Sequence, residues 1–189
     1  MTGEAPLMAM LPAVADAVKT PVIAAGGIAD GRGLAAALAL GACGVWLGTR
    51  FVASHESGCH QGYKQKVVEA KLSDLVETTL FDGGWPNSPH RVIANSTYAR
   101  WQASGCPPSG SRPGEGERIG TLPDGSPIHR YNVSAPWQAM DGDWEAGPMY
   151  AGISCILVDA MASATQLLEQ ITRDAEAVLK RDYALTQLH

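Results

Sequence analysis

Pro21-Val-Ile-Ala-Ala-Gly-Gly-Ile28 and Gly44-Val-Trp-Leu-Gly-Thr-Arg-Phe51 are two short, almost wholly apolar runs. The first is bounded by Pro21 and by the turn residues Asp30-Gly31, the pattern of a parallel strand covered on both faces. Between the runs, Asp30 is placed to cap a helix over 34–40, rich in Ala and Leu and ended by Gly41. Strand, helix and strand within about thirty residues make a βαβ unit, which implies a right-handed crossover and a parallel sheet.

Working outward, residues 7–18 read as a helix, with Pro12 suited to its first turn and Leu11, Val14, Ala15 and Val18 on one side. Tyr63, Val67, Val68 and Leu72, with Lys and Glu between them, predict another helix over 56–72. The stretch 80–148 differs. It holds Gly83-Gly84, Pro86, Pro89, Pro107-Pro108, Pro113-Gly114, Pro123, Pro127 and Pro136, which predicts a long ordered loop or cap with little regular structure. Trp85, Trp101, Trp137 and Trp144 all lie in it and argue against a disordered linker. Residues 159–180 place Met161, Ala164, Leu167, Leu168, Ile171, Ala175, Val178 and Leu179 at helical spacing, a long amphipathic helix.

With 189 residues, 46% apolar and 17% charged, the chain is one globular domain with at most an appendage. A formal net charge of -5 and no run of Lys or Arg argue against a nucleic-acid or acidic-membrane partner and for small-molecule chemistry. Cys43, Cys59, Cys106 and Cys155 lie far apart with no C-x-x-C pair, so reduced thiols in a cytoplasmic protein are expected, and no metal site. Residues 1–10 lack the pattern of a signal peptide, and no apolar segment reaches the ~20 residues of a membrane span.

Gly26-Gly27 and Gly48-Thr49 end the two strands and are the sharpest local signal for chemistry. Glycine there lets a backbone approach a ligand, and free N–H groups suit a phosphate. In (β/α)8 barrels the loops after the seventh and eighth strands often form that site. Either pair alone is equally read as an ordinary turn; two in consecutive units favour phosphate. Arg50 either reaches the same anion or is turned away by strand alternation. His90, in Trp85-Pro-Asn-Ser-Pro-His-Arg91, either faces a substrate pocket or is a loop histidine bonded to backbone. His55 and His60 are expected at the surface near a helix start, and His129 in a strand-like surface segment. No two histidines have the i, i+4 spacing of a helical metal site.

The run from Pro21 to Ala42, continued by Gly44 to Ser54, resembles the last two βα units of nitronate monooxygenases. Leu80-Phe-Asp-Gly-Gly-Trp-Pro-Asn-Ser-Pro-His-Arg-Val92, Asn95-Ser-Thr97, Pro107-Pro-Ser-Gly-Ser-Arg-Pro-Gly-Glu-Gly-Glu117 and Met149-Tyr-Ala-Gly152 are similar to the cap of the same family. The resemblance implies the C-terminal part of a (β/α)8 TIM-type barrel with a loop-rich and helical cap. Its parts would be barrel units over 1–55, a covering helix in 56–79, the cap over 80–150 and the terminal helix in 151–189. It implies FMN as cofactor, and alkyl nitronates and O2 as substrates. Gly26, Gly27, Trp46, Leu47, Gly48 and Thr49 would be the cofactor-binding residues, although Trp46 stands where the family often has a polar residue, and plain barrel core is the favoured reading for the Trp46 and Leu47 side chains. Tyr150 to Gly152 would line the flavin or substrate side, with Ile153 replacing the family's usual Gln. The family's catalytic histidine lies in a Gly-Gly-His stretch just before the helix equivalent to 7–18. Met1-Thr2-Gly3 occupies that point, so the chain is expected to lack it and to be part of a longer enzyme. Two rival expectations remain: another FMN- or phosphate-binding barrel oxidoreductase, such as an inosine monophosphate dehydrogenase-like enzyme, and a catalytically empty fragment acting by association with itself or a partner.

Overall fold

The structure is a computed structural model that describes residues 6–186. The first helix, α1 (Leu7–Ala17), starts after Pro6, whose carbonyl accepts from the Ala9 and Met10 N–H groups. Pro12 therefore lies inside the helix rather than in its first turn as the sequence predicted. Only Leu11 of its apolar side is buried, while Val14 and Val18 remain exposed.

Strand β1 (Ile23–Ala25), helix α2 (Gly31–Ala39) and strand β2 (Gly44–Trp46) form the expected unit. Asp30 caps α2, its Oδ1 accepting from Gly33 N–H at 3.0 Å, and Gly41 at φ +94 ends it. The strands pair in parallel, Ile23 with Gly44, Ala24 with Val45 and Ala25 with Trp46. Their expected burial on both faces does not hold. Ala24, Val45 and Leu47 pack with Leu11, Ile28 and Ala37, whereas on the other face Ile23 is 58% and Trp46 72% exposed. A two-stranded sheet has helices on one side and no further strand to close the other. The second strand is also shorter than its apolar run, because a helical turn, α3 (Thr49–Val52), begins directly after Gly48.

Helix α4 (Gln61–Glu69) is shorter than predicted, and Leu72 lies beyond it, exposed. Its Tyr63 and Val67 are fully buried with Met149, Cys155 and Val158. His60 caps it through Nδ1, which accepts from Gly62 N–H at 3.1 Å, while its ring stacks on Trp144 at 4.7 Å.

The following segment holds more regular structure than its proline and glycine content predicted. Strands β3 (Leu75–Thr78) and β4 (His90–Ile93) pair antiparallel, and α5 (Ser96–Ala103) follows. Strand β5 (Arg118–Thr121) pairs antiparallel with β6 (Pro127–His129) and with β7 (Asp141–Gly142). These strands have two to four residues each, too short for alternation to stand out among turn residues.

The last helix, α6 (Ala164–Thr186), buries Leu167, Ile171 and Ala175 and leans on α2. A Cβ at Gly31 would lie 2.5 Å from Ala175 N and 2.7 Å from Ile171 O, so only glycine permits this approach. No described helix is long and apolar enough to cross a membrane. Among the described residues no group of three or more His, Cys, Asp or Glu is arranged to hold a metal ion.

Candidate functional site

The parallel register sets the C-terminal ends of β1 and β2 side by side. Ala25 pairs with Trp46, so Gly26-Gly27 leaves one strand next to Leu47-Gly48-Thr49 leaving the other. Gly26 and Gly27 both adopt left-handed backbone, φ +95 and +72. A Cβ built at Gly26, Gly27 or Gly48 would meet nothing within 4 Å, so all three border open space. Gly48 O accepts from the Phe51 and Val52 N–H groups, and the N–H groups at the head of such a turn have no partner within it.

Thr49 carries the link to the rest of the molecule. Its Oγ1 accepts from the Gly152 N–H at 2.9 Å, which leaves the hydroxyl proton available to a second acceptor. Of the six residues assigned to the cofactor, the structure brings Gly26, Gly27, Trp46, Gly48 and Thr49 to one end of the sheet and turns Leu47 toward the helix-packed core. Trp46 is not core in this chain. Its indole projects from the open face, 72% exposed.

Arg50 does not reach this end. The α3 turn buries it, and its Nη1 donates to Ala160 O at 2.9 Å. Burial lowers the pKa of its guanidinium, with nearby Asp159 acting in the opposite sense. A strand reading of 44–51 had placed Arg50 by alternation, and the turn removes that geometry.

His90 opens β4 rather than lying in a loop, and it bonds to backbone as one of its two readings expected. Nδ1 lies 2.8 Å from Ser88 O, and the ring lines a cavity of about 140 Å³ with Phe81, Trp85, Ser88, Val133 and Tyr150. Tyr150 donates its hydroxyl to Val133 O at 2.9 Å, and burial pushes its pKa up to about 12. Its carbonyl accepts from the Tyr63 hydroxyl, whose pKa burial also raises. His129 is exposed on β6. Met1 to Gly3 and His189 lie outside the described residues.

The remaining cap motifs tie the fold together. Asn95 caps α5, accepting from Tyr98 N–H at 3.0 Å, and donates to the carbonyls of Glu145 and Gly147. Thr97 donates to Ala146 O at 2.8 Å and accepts from Arg130. Arg112 is buried, donates to Leu80 O and Asp82, pairs with Glu115 and lies 4.3 Å over the Tyr131 ring. The sequence offered no way to anticipate the Thr49–Gly152 bond, whose partners are about a hundred residues apart.

The family described as nitronate monooxygenase matches residues 1–174. This chain belongs to the nitronate monooxygenase family. Among its relatives, a probable nitronate monooxygenase of Staphylococcus saprophyticus is 34% identical over 92% of this chain and 44% of its own length. A (3aS,4S,5R,7aS)-5-hydroxy-7a-methyl-1-oxo-octahydro-1H-indene-4-carboxyl-CoA dehydrogenase of Mycobacterium tuberculosis is 32% identical over 98% of this chain and 59% of its own. Among solved structures, FabK from Thermotoga maritima superposes with a TM-score of 0.70 and 31% identity over 97% of this chain and 53% of its own. A nitroalkane oxidase from Streptomyces ansochromogenes does so with a TM-score of 0.65 and 25% identity over 93% and 45%. This nitronate monooxygenase-family chain thus spans about half the length of the proteins it matches along most of its sequence.

Proposed function

We propose that the chain forms the phosphate-binding end and the cap of an FMN-dependent nitronate monooxygenase that oxidises alkyl nitronates with O2. The observation that carries this reading is the in-register parallel pairing of β1 and β2. It sets Gly26-Gly27 and Gly48-Thr49 side by side around open space. The arrangement fits the phosphate of FMN: two left-handed glycines remove side chains from the approach, Gly48 and Thr49 offer backbone N–H groups, and the Thr49 hydroxyl adds a donor. Read as the last two strands of a (β/α)8 barrel, β1 and β2 would hold the phosphate where such barrels commonly do.

FMN, when bound, supplies the redox chemistry. The chain's own part is to hold the phosphate, to orient Thr49 through Gly152, and to cover the strand ends with the segments around Tyr150. The flavin ring needs a largely preformed pocket, which further strands of a barrel would provide against the open face of Ile23 and Trp46.

A second reading follows from the match to the Mycobacterium tuberculosis dehydrogenase over 98% of this chain: an oxidoreductase of the same architecture acting on a coenzyme A thioester. The test uses the chain joined to the barrel half of a full-length relative. With FMN bound, propyl-2-nitronate should drive O2 consumption. Turnover of an acyl-CoA without turnover of the nitronate would favour the second reading. Absence of any bound flavin would overturn both and leave a fragment that acts by association.

A further inference from the structure

The cavity beside His90 is lined by none of the strand-end residues and is built wholly from described residues of this chain. Phe81, Trp85, Val133 and Tyr150 give it an apolar, largely aromatic wall, and its volume of about 140 Å³ is well below the roughly 300 Å³ at which sites for drug-sized molecules begin. It is too small for a flavin and large enough for one six-membered ring. His90 meets Phe81 at 6.0 Å and the edge of Tyr150 at 5.4 Å.

One atom of this wall is unexplained. The Ser88 carbonyl can only accept, so His90 Nδ1 carries the proton that joins them at 2.8 Å. In the neutral ring Nε2 is then an acceptor, and it is buried with no partner. The Tyr150 hydroxyl cannot supply one, because it already donates to Val133 O. A buried polar atom without a hydrogen bond is costly enough to call for a ligand or a function.

We propose that this cavity binds a small planar ring bearing one hydrogen-bond donor, a phenol being the simplest, with the ring among Phe81, Val133 and Tyr150 and the donor on His90 Nε2. Solvent does not reach Nε2, so the side chains that cover it must shift for the donor to meet it. Trp85 is 69% exposed and is carried between Gly84 and Asn87, both left-handed, at φ +102 and +58. Its indole lifts to admit the ring.

The purified full chain is titrated with phenol and with benzene. Both should bind, and Trp85 emission should change with either. The preference for phenol over benzene should fall about three- to ten-fold in His90→Phe, the worth of one neutral hydrogen bond. Val133→Phe should abolish both by filling the space. Should His90→Phe fail to fold, the 15N resonance of His90 Nε2 in the unaltered chain decides, moving with phenol and not with benzene. Failure of both rings to bind, an unchanged preference in His90→Phe, binding that survives Val133→Phe, or an Nε2 resonance indifferent to phenol would each overturn the proposal. None of these readouts depends on FMN or nitronate turnover.

Discussion

Gly48 and Glu115 show how differently two residues of similar prominence in the sequence are used. At Gly48 a Cβ meets no protein atom within 4 Å, so Gly48→Val should leave the fold intact and act on whatever occupies the open space. In the flavin-bearing enzyme it should weaken FMN binding roughly ten- to hundred-fold, the worth of one charge-assisted hydrogen bond of about 1.5 to 3 kcal/mol. His90→Ala should leave FMN affinity unchanged. Flavin titration of both variants checks this, and equal losses would mean the phosphate lies elsewhere. Glu115 belongs to a stretch similar to the family's cap, and its carboxylate is tied to the Arg112 guanidinium and to the N–H groups of Gly110 and Arg112. The hydrogen bonds from Arg112, with those backbone donors, hold its pKa down to about 2 from an ordinary 4.5. Because the folded value is the lower one, its stabilisation is complete above about pH 4.5 and is lost as pH falls toward 2. Glu115→Gln should therefore lower the melting temperature at neutral pH and flatten its decline across that window. Parallel melting-temperature curves for the two proteins would contradict this. Glycine pairs, caps and histidines were legible because each has a local backbone or chemical meaning. The buried roles of Arg112 and Arg50 were not, since their partners come from distant segments.

Among the elements, helices whose ends carry their own signals were the most legible. Asp30 and Gly41 bound α2 as read, and the periodic face of α6 buries Leu167, Ile171 and Ala175. The close seat of α6 on α2 is a tertiary matter, and it turns on Gly31. A Cβ there would stand 2.6 Å from Asp174 Cβ and closer still to Ala175 N, so Gly31→Ala must push backbone against backbone. It should cost about 1 to 3 kcal/mol, as overpacking does, and lower the melting temperature. Gly44→Ala, where a Cβ meets nothing within 4 Å, is the matched control and should be near neutral. Equal melting temperatures for the two variants would show that the helices part without cost. Residues 49–51 were misread as strand because Thr49-Arg-Phe51 has strong strand propensity, whereas the structure turns helical at Gly48. Apart from β6, whose segment around His129 read as strand-like, the cap strands were missed for the opposite reason, being too short to show a period.

At the scale of the whole molecule, the β1–β2 sheet leaves an apolar face open. Ile23 and Trp46 project from the uncovered side of a two-stranded parallel sheet, and its outer edges carry unpaired N–H and C=O groups, which invite pairing with other chains. The purified chain by itself should therefore sediment as oligomers or larger aggregates at micromolar concentration, and it should take up FMN weakly. A cooperatively melting monomer in sedimentation velocity, or a stoichiometric flavin spectrum, would contradict these expectations. Replacing both Ile23 and Trp46 by Thr should shift the distribution toward monomer. The sequence by itself determined the βαβ unit, the cap on α2, the amphipathic last helix and the glycines at both strand ends, because these depend on backbone preference and on patterns only a few residues long. Only the tertiary structure decided that Arg50 is withdrawn to Ala160, that Thr49 is held by Gly152, that one sheet face is bare, and that His90 stands in an aromatic cavity with an unpartnered nitrogen. Those features join segments far apart in the chain, and no local preference encodes which distant group will arrive.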